Sequence, residues 1–313
     1  MKRLALLLLS LGFLSISLKA QDSTQTIKPY ETIFPSENLA LLQEYEDTLA
    51  LLAYAVVNDS LPENRFGTCR ELIKRLVKAL QVDNSFHYPF EQLRSVSIQY
   101  PRDSSFRIFT WQLYVDVNDY RYYGAIQMNS PELELYPLID RSFNVEEVEQ
   151  AVLAPDNWYG SIYYNLKECD SPKGKYYLLF GFDGYEFFHK RKVIDVLYFN
   201  EKNKPVFGAP VFVKMEEGKP PQTLNRMMIQ YSASVSVRMN YDQALEMIIY
   251  DHLVEGQGQY GEGAANFPDG SYEAYTYQDG YWRHVTKVFH QVSDEAPRPF
   301  PKLDSEDKNI FGN

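Results

Sequence analysis

Two regimes of apolar spacing divide the chain. Behind Ser36, a residue type that caps helices, Leu42, Tyr45, Leu49, Leu52 and Val56 recur at intervals of three and four and predict an amphipathic helix. The break Asn58-Asp59-Ser60-Leu61-Pro62 ends it, and Phe66, Cys69, Ile73, Leu76 and Leu80 resume the same period. Residues 36–94 therefore read as a helical-hairpin region whose two stripes bury one another. Across residues 95–290 the pattern changes to short runs rich in Tyr, Phe, Val, Ile and Thr, such as "FRIFTWQLYV", "KYYLLFGF", "VFGAPVFV" and "LEMIIYDHLV". Asn-Asp, Asp-Gly and Pro-containing breaks separate them, which is the signature of antiparallel strands joined by hairpins. One helix is expected among the strands, Val145 to Leu153, with Asn144 and Glu147 as its capping box and Pro155 past its end. The predicted class is α+β: an N-terminal helical hairpin, then a large antiparallel β meander closed as a barrel or folded as two packed sheets. No fixed-period repeat points to a solenoid.

The ends of the chain read differently. Lys2 and Arg3, the apolar run Leu4 to Leu14 and the small residue Ala20 before Gln21 have the order of a cleaved secretory signal peptide over residues 1–20. That run is shorter than the roughly 18 to 20 residues a membrane span needs, and no later run approaches this length, so no transmembrane span is expected. Residues 21–35 read as an extended lead-in, and residues 291–313, with Pro297, Pro299 and Pro301, as a solvated acidic tail. Loss of Lys2, Arg3 and Lys19 with the signal takes the formal charge from −11 to −14. Such a field repels polyanions and argues against nucleic acid as a partner.

The segments "FRIFTWQ", "WYGSIYY", "FGFDG", "KVIDVLYF", "FGAPVF" and "PDGSYEAY" resemble a family of secreted proteins from Bacteroidota. The resemblance spans roughly residues 90 to 288 and brings no activity, cofactor or catalytic residue with it. It implies a Gram-negative envelope context, with the periplasm favoured over the extracellular space. It also implies periplasmic O-glycosylation at Asp, then Ser or Thr, then an apolar residue. "DST" at Asp22, "DTL" at Asp47 and "DSL" at Asp59 fit that rule, and Ser60, in the predicted turn, is the candidate acceptor.

Several motifs resolve into ordinary structure. "FGFDGYEFFHKRK" places Asp183-Gly184 where a strand must reverse, and the basic quartet His189 to Lys192 then reads as a solvated strand start. A formal GxGxxG at Gly256, Gly258 and Gly261 is followed by "EGAANFPDG" instead of a helix, so it reads as a surface loop and not as a dinucleotide site. GxSxG, HExxH and CxxC are all missing, and His252 with Glu255 makes only half a zinc motif. No cofactor or metal is expected. With 25 Tyr, 19 Phe and 3 Trp, the chain suits stacking on sugars or peptides. A non-catalytic binding or envelope-assembly protein, with an envelope protein or a glycan as partner, is the expected function. A carboxylate-based, glycan-directed periplasmic hydrolase is the alternative.

Two sets of residues carry specific expectations. Cys69 and Cys169, the only cysteines, would meet an oxidising compartment and are predicted to pair. In "SYEAYTYQDGYWRHVTKV", Asp279-Gly280 is a strong two-residue turn signal. It sets Gln278 against Tyr281, Tyr277 against Trp282, Tyr275 against His284 and Glu273 against Thr286. Alternation then gathers Glu273, Tyr275, Tyr277, Trp282 and His284 on one face, as a candidate binding platform or as part of the core, with burial favoured for the aromatic rings.

Overall fold

The computed structural model describes residues 28–288 other than 172–173, 216–217, 260 and 287. The expected signal peptide, residues 21–27 of the lead-in and the acidic tail lie outside the described residues. The rest of the lead-in is not extended: Pro29–Ile33 form a 3-10 helix, with Pro29 at its start. Two helices open the fold, α1 (Ser36–Asn58) and α2 (Pro62–Leu80). Pro62 starts α2 where a missing N–H costs nothing, and Asp59 accepts a bond from the Leu61 N–H at 2.9 Å in the turn between them. Leu42, Leu49 and Val56 from α1 share a core with Cys69, Leu76 and Leu80 from α2, as the spacing predicts; Ala53, Leu72 and Ala79 join them, while Tyr45, Leu52 and Ile73 are only partly buried. Phe66 departs from that stripe and is exposed. Ser60 lies exposed in the interhelical turn.

Three sheets follow. The first is the meander β1 (Ser97–Gln99), β2 (Phe106–Asp116), β3 (Asp119–Met128) and β4 (Leu135–Ile139), paired in chain order. The second joins β5 (Ile162–Ser171), β6 (Gly174–Asp183) and β7 (His189–Phe199), with β8 (Pro205–Phe207) on the end of β7 and β11 (Met227–Ser232) along its start. The third contains β9 (Phe212–Lys214), β10 (Gln222–Leu224), β12 (Met239–Asp242), β13 (Met247–Gln257), β14 (Ala264–Gln278) and β15 (Tyr281–Val285) in the order β10-β9-β15-β14-β13-β12. Among the strands described, every pairing is antiparallel except β15 with β9, and an isolated parallel bridge joins Asp140 to Trp158. The α+β class holds, but the sheets stack and do not close into a barrel.

Strand alternation builds the layers. Phe109, Trp111 and Leu113 of β2 face the helices, and Phe106 and Ile108 face Tyr177, Leu179 and Leu197 of the second sheet. On the other side of that sheet Leu178, Phe180, Ile194 and Val196 pack on Phe212, Ile248, Tyr275 and Trp282 of the third. Helices, sheet, sheet and sheet thus share three successive cores. Each middle layer is apolar on both faces, which accounts for runs such as "YYLLF" that do not alternate with polar residues.

The layering separates the cysteines. Cys69 lies in the core between α2 and the first sheet, and Cys169 in the core between the second and third sheets, so two sheets stand between them. Both are free and buried, and the predicted disulfide is not formed.

The expected helix at Val145–Leu153 is also absent. Residues 145–153 are turn and irregular structure, with Glu147 at φ +46°. Their carbonyls are engaged elsewhere: Asn225 N and Arg226 N donate to Glu149 O, Arg226 Nη1 donates to Val148 O, and Leu153 bridges Phe207. The run "VFGAPVFV" is likewise two strands. Gly208, at φ +102°, turns the chain out of the second sheet and into the third, and a Cβ there would lie 2.4 Å from Ala151 O.

Two buried arginines hold the joints. Arg107 donates to Ser85 O, Tyr88 O, Gln127 Oε1 and the Tyr100 hydroxyl, pinning the connection between α2 and the first sheet among the rings of Phe86, Phe90 and Phe109. Arg226, between β10 and β11, pairs with Asp195 of β7 at 2.9 Å with both side chains fully buried. Asp195 also accepts from the Tyr163 hydroxyl at 3.1 Å.

Candidate functional site

The hairpin of β14 and β15 forms as the Asp-Gly signal requires. Asp279 and Gly280 take φ +52° and +84°, the left-handed pair of a type I′ turn, and Gln278–Tyr281, Tyr277–Trp282 and Tyr275–His284 are directly opposed. The paired strands stop at Ala274–Val285, one step short of Glu273 and Thr286.

The predicted face divides between two roles. Trp282 and Tyr275 are core residues, 2% and 1% exposed. The Trp282 indole N–H donates to the Tyr176 hydroxyl at 3.0 Å, and the Tyr275 ring lies against Phe212 and Tyr250. Tyr277 sits at the exposed margin, with its ring on Trp282 and its hydroxyl donating to Asp170 O. Glu273 and His284 turn instead toward a cavity of roughly 330 Å³.

The neighbouring strand supplies the rest of that cavity. β13 and β14 pair regularly through Asp251–Tyr272 and resume at Leu253–Pro268, so His252 and the stretch Asp269-Gly270-Ser271 fall in an irregularity. Such a break re-aims side chains. His252 Nδ1 lies 2.9 Å from Asp269 Oδ2, and its Nε2 lies 4.0 Å from Glu273 Oε1. Glu273 Oε2 accepts from the Tyr250 hydroxyl at 2.7 Å and lies 3.2 Å from His284 Nε2. His284 Nδ1 donates to Met215 O at 2.9 Å. The result is a row, Asp269–His252–Glu273–His284, in which carboxylates and imidazoles alternate. Leu224, Met227, Met228 and Leu253 form apolar walls around it.

Charge is set within the row. Burial opposes the Glu273 charge, but His284 and Tyr250 outweigh it and hold the carboxyl below its ordinary 4.5. Burial likewise opposes a charged His284, yet the Glu273 carboxylate and the Met215 carbonyl raise its pKa above 6.5. Asp269 is held down at about 2 by the Ser271 hydroxyl and N–H, with His252 adding to them.

A larger cavity, roughly 590 Å³, is lined by Tyr176, Tyr198, Phe199, Tyr281 and the Gly208–Pro210 corner. Its cation Lys175 is already tied to Asp103 at 2.7 Å and to Glu168 at 2.5 Å. Fewer polar groups converge there than on Glu273. Among the described residues no group of three or more His, Cys, Asp or Glu is placed to hold a metal ion.

Asp183 is more than a turn residue. It ends β6 buried, accepting from the Tyr159 hydroxyl at 2.7 Å, the Tyr122 hydroxyl at 3.0 Å and the Tyr185 N–H at 2.9 Å, and burial raises its pKa above the ordinary value. The chain reverses over residues 184–188, with Tyr185 at φ +45°. His189 to Lys192 is not a solvated strand start. It is paired on one side by β11, Asp183 opposes Arg191, and Lys192 is half-buried over the ring of Tyr164. The glycines at 256, 258 and 261 fall in the β13–β14 hairpin, where Gly258 N donates to Gly263 O, as the surface-loop reading expects.

Comparison with protein-family models, curated proteins and solved structures finds no match. No described helix is long and apolar enough to cross a membrane.

Sequence reasoning brought Glu273 and His284 together but left out His252, Tyr250 and Asp269. The alternation of β13 puts Tyr250 and His252 two residues apart, which could have paired them with the hairpin face. The step Pro268-Asp269-Gly270, with Gly270 at φ +88°, is the local mark of the β13–β14 irregularity.

Proposed function

We propose that the protein is an exported, periplasmic binding protein without catalytic chemistry, and that its ligand, part of an envelope peptide or glycan, seats on the Glu273 row. One observation carries the reading. One face of the β14–β15 hairpin anchors Tyr275 and Trp282 in the core and, from the same two strands, aims Glu273 and His284 into a concave apolar-walled cavity. Pre-set polar groups in an apolar recess are what ligand orientation requires, because no side-chain freedom is lost on binding. Export is supported by the N-terminal order of charge, apolar run and small residue. The Bacteroidota envelope context rests on the resemblance described above.

An array of envelope glycans and peptides, probed with labelled wild-type protein and with Glu273→Gln, tests the proposal. Ligands retained by the wild type and lost by a variant of unchanged melting temperature support it. Equal retention by both proteins places the binding surface elsewhere.

A further inference from the structure

Resting on the proposed site, we infer that the Glu273 row receives a primary ammonium group on an apolar stem, as a lysine side chain of a peptide presents. The inference starts from two acceptors that face each other. His252 Nδ1 lies at hydrogen-bond distance, 2.9 Å, from a carboxylate oxygen of Asp269. The proton therefore sits on Nδ1, and in the neutral ring Nε2 carries the lone pair. Across from it, Glu273 Oε2 accepts from the Tyr250 hydroxyl and lies 3.2 Å from His284 Nε2, while Oε1 lies 4.0 Å from His252 Nε2.

The 4.0 Å between Nε2 and Oε1 is too long for a hydrogen bond, and neither atom would have a proton to share. A nitrogen set about 2 Å off the line joining them reaches both at about 2.8 Å, the length of a charge-assisted hydrogen bond. The guest must donate at least twice. A hydroxyl group has one proton and leaves one acceptor unmet, and a carboxylate has none to give. An ammonium group donates to both.

The surroundings choose between ammonium compounds. Leu224, Met227, Met228 and Leu253 wall the cavity with aliphatic and thioether surface, which suits a methylene stem better than a ring of hydroxyls. Lys214, Glu149 and Asp251 also line the cavity, and the chain as a whole carries −11. A cation approaches a field of the right sign.

Titration calorimetry at pH 8 with n-pentylamine, 1-pentanol, pentanoate and glucosamine, on the full exported chain, tests this. Pentylamine should bind at least about tenfold more tightly than the other three, and Glu273→Gln should weaken it by about ten- to a hundredfold, the worth of a charged hydrogen bond. His252→Gln, a change at a partly exposed side chain, should weaken it also and keeps the test valid should Glu273→Gln unfold. Pentanol or pentanoate binding as well as the amine would overturn the ammonium assignment, and glucosamine binding better than pentylamine would overturn the apolar stem. Amine binding untouched by both substitutions would overturn the location. Should the array ligands depend on Glu273 while pentylamine does not bind, the ammonium class fails and the site stands. Should nothing on the array or in the calorimeter depend on Glu273, both fail together.

Discussion

Trp282→Ala separates a core face from a ligand platform. The indole is 2% exposed, packs between Tyr241 and Tyr277, and donates to the Tyr176 hydroxyl. Removing a buried aromatic side chain costs about 3 to 5 kcal/mol, and leaving the Tyr176 hydroxyl without its donor adds roughly 1 kcal/mol. The expected loss is therefore about 4 to 6 kcal/mol. Against a total stability of roughly 5 to 15 kcal/mol, that approaches unfolding. Trp282→Phe keeps a ring but loses the N–H and some volume, so it should cost about 1 to 2 kcal/mol. Urea unfolding followed by circular dichroism gives both values as midpoint shifts multiplied by the common slope. A Trp282→Ala loss below about 1 kcal/mol would refute the reasoning, because no buried, hydrogen-bonded indole is removed so cheaply.

Three further outcomes follow from the same geometry. Asp195→Asn strands the buried Arg226 guanidinium and should cost about 3 to 5 kcal/mol in urea unfolding, whereas replacing both Asp195 and Arg226 with apolar residues should recover part of the loss. The Glu273–His284 pair should stabilise most between pH 4.5 and 6.5: the raised His284 pKa gives stability that is complete below 6.5 and lost as pH rises through the folded value, and the lowered Glu273 pKa gives stability that is complete above 4.5 and lost as pH falls through the folded value. The stability difference between wild type and His284→Gln, measured across this range, should therefore peak inside that window, and a flat difference would contradict the pairing. Native protein should react slowly with a thiol reagent, since burial pushes the Cys169 thiol up to about 12, and urea should release two thiols without reductant.

What was legible in the sequence was local. The β14–β15 register followed from two residues, because Asp279-Gly280 admits few turn geometries and alternation does the rest. The helical hairpin followed from its spacing. What escaped depended on residues far apart in the chain. The segment 145–153 has helical spacing, yet Asn225 and Arg226, more than 70 residues on, bond to its carbonyls and outweigh a local preference. The strand β4, with Pro137 in the middle, gave no strand signal, being the edge position where proline is tolerated. The cysteines looked pairable because composition and compartment say nothing about layers. Glu273 and His284 were visible through register, whereas His252 enters through an irregularity opposite Pro268-Asp269-Gly270, a bulge signal that marks the break without saying which side chain of β13 it re-aims.

The central claim is that ligand meets the protein at His252, Glu273 and His284. The most direct measurement follows the imidazole proton resonances of the five histidines while the strongest array ligand is titrated in. The account predicts that His252 and His284 shift together and saturate with the binding curve, while His87 and His189 stay still. Saturating binding that leaves His252 and His284 unmoved would contradict it.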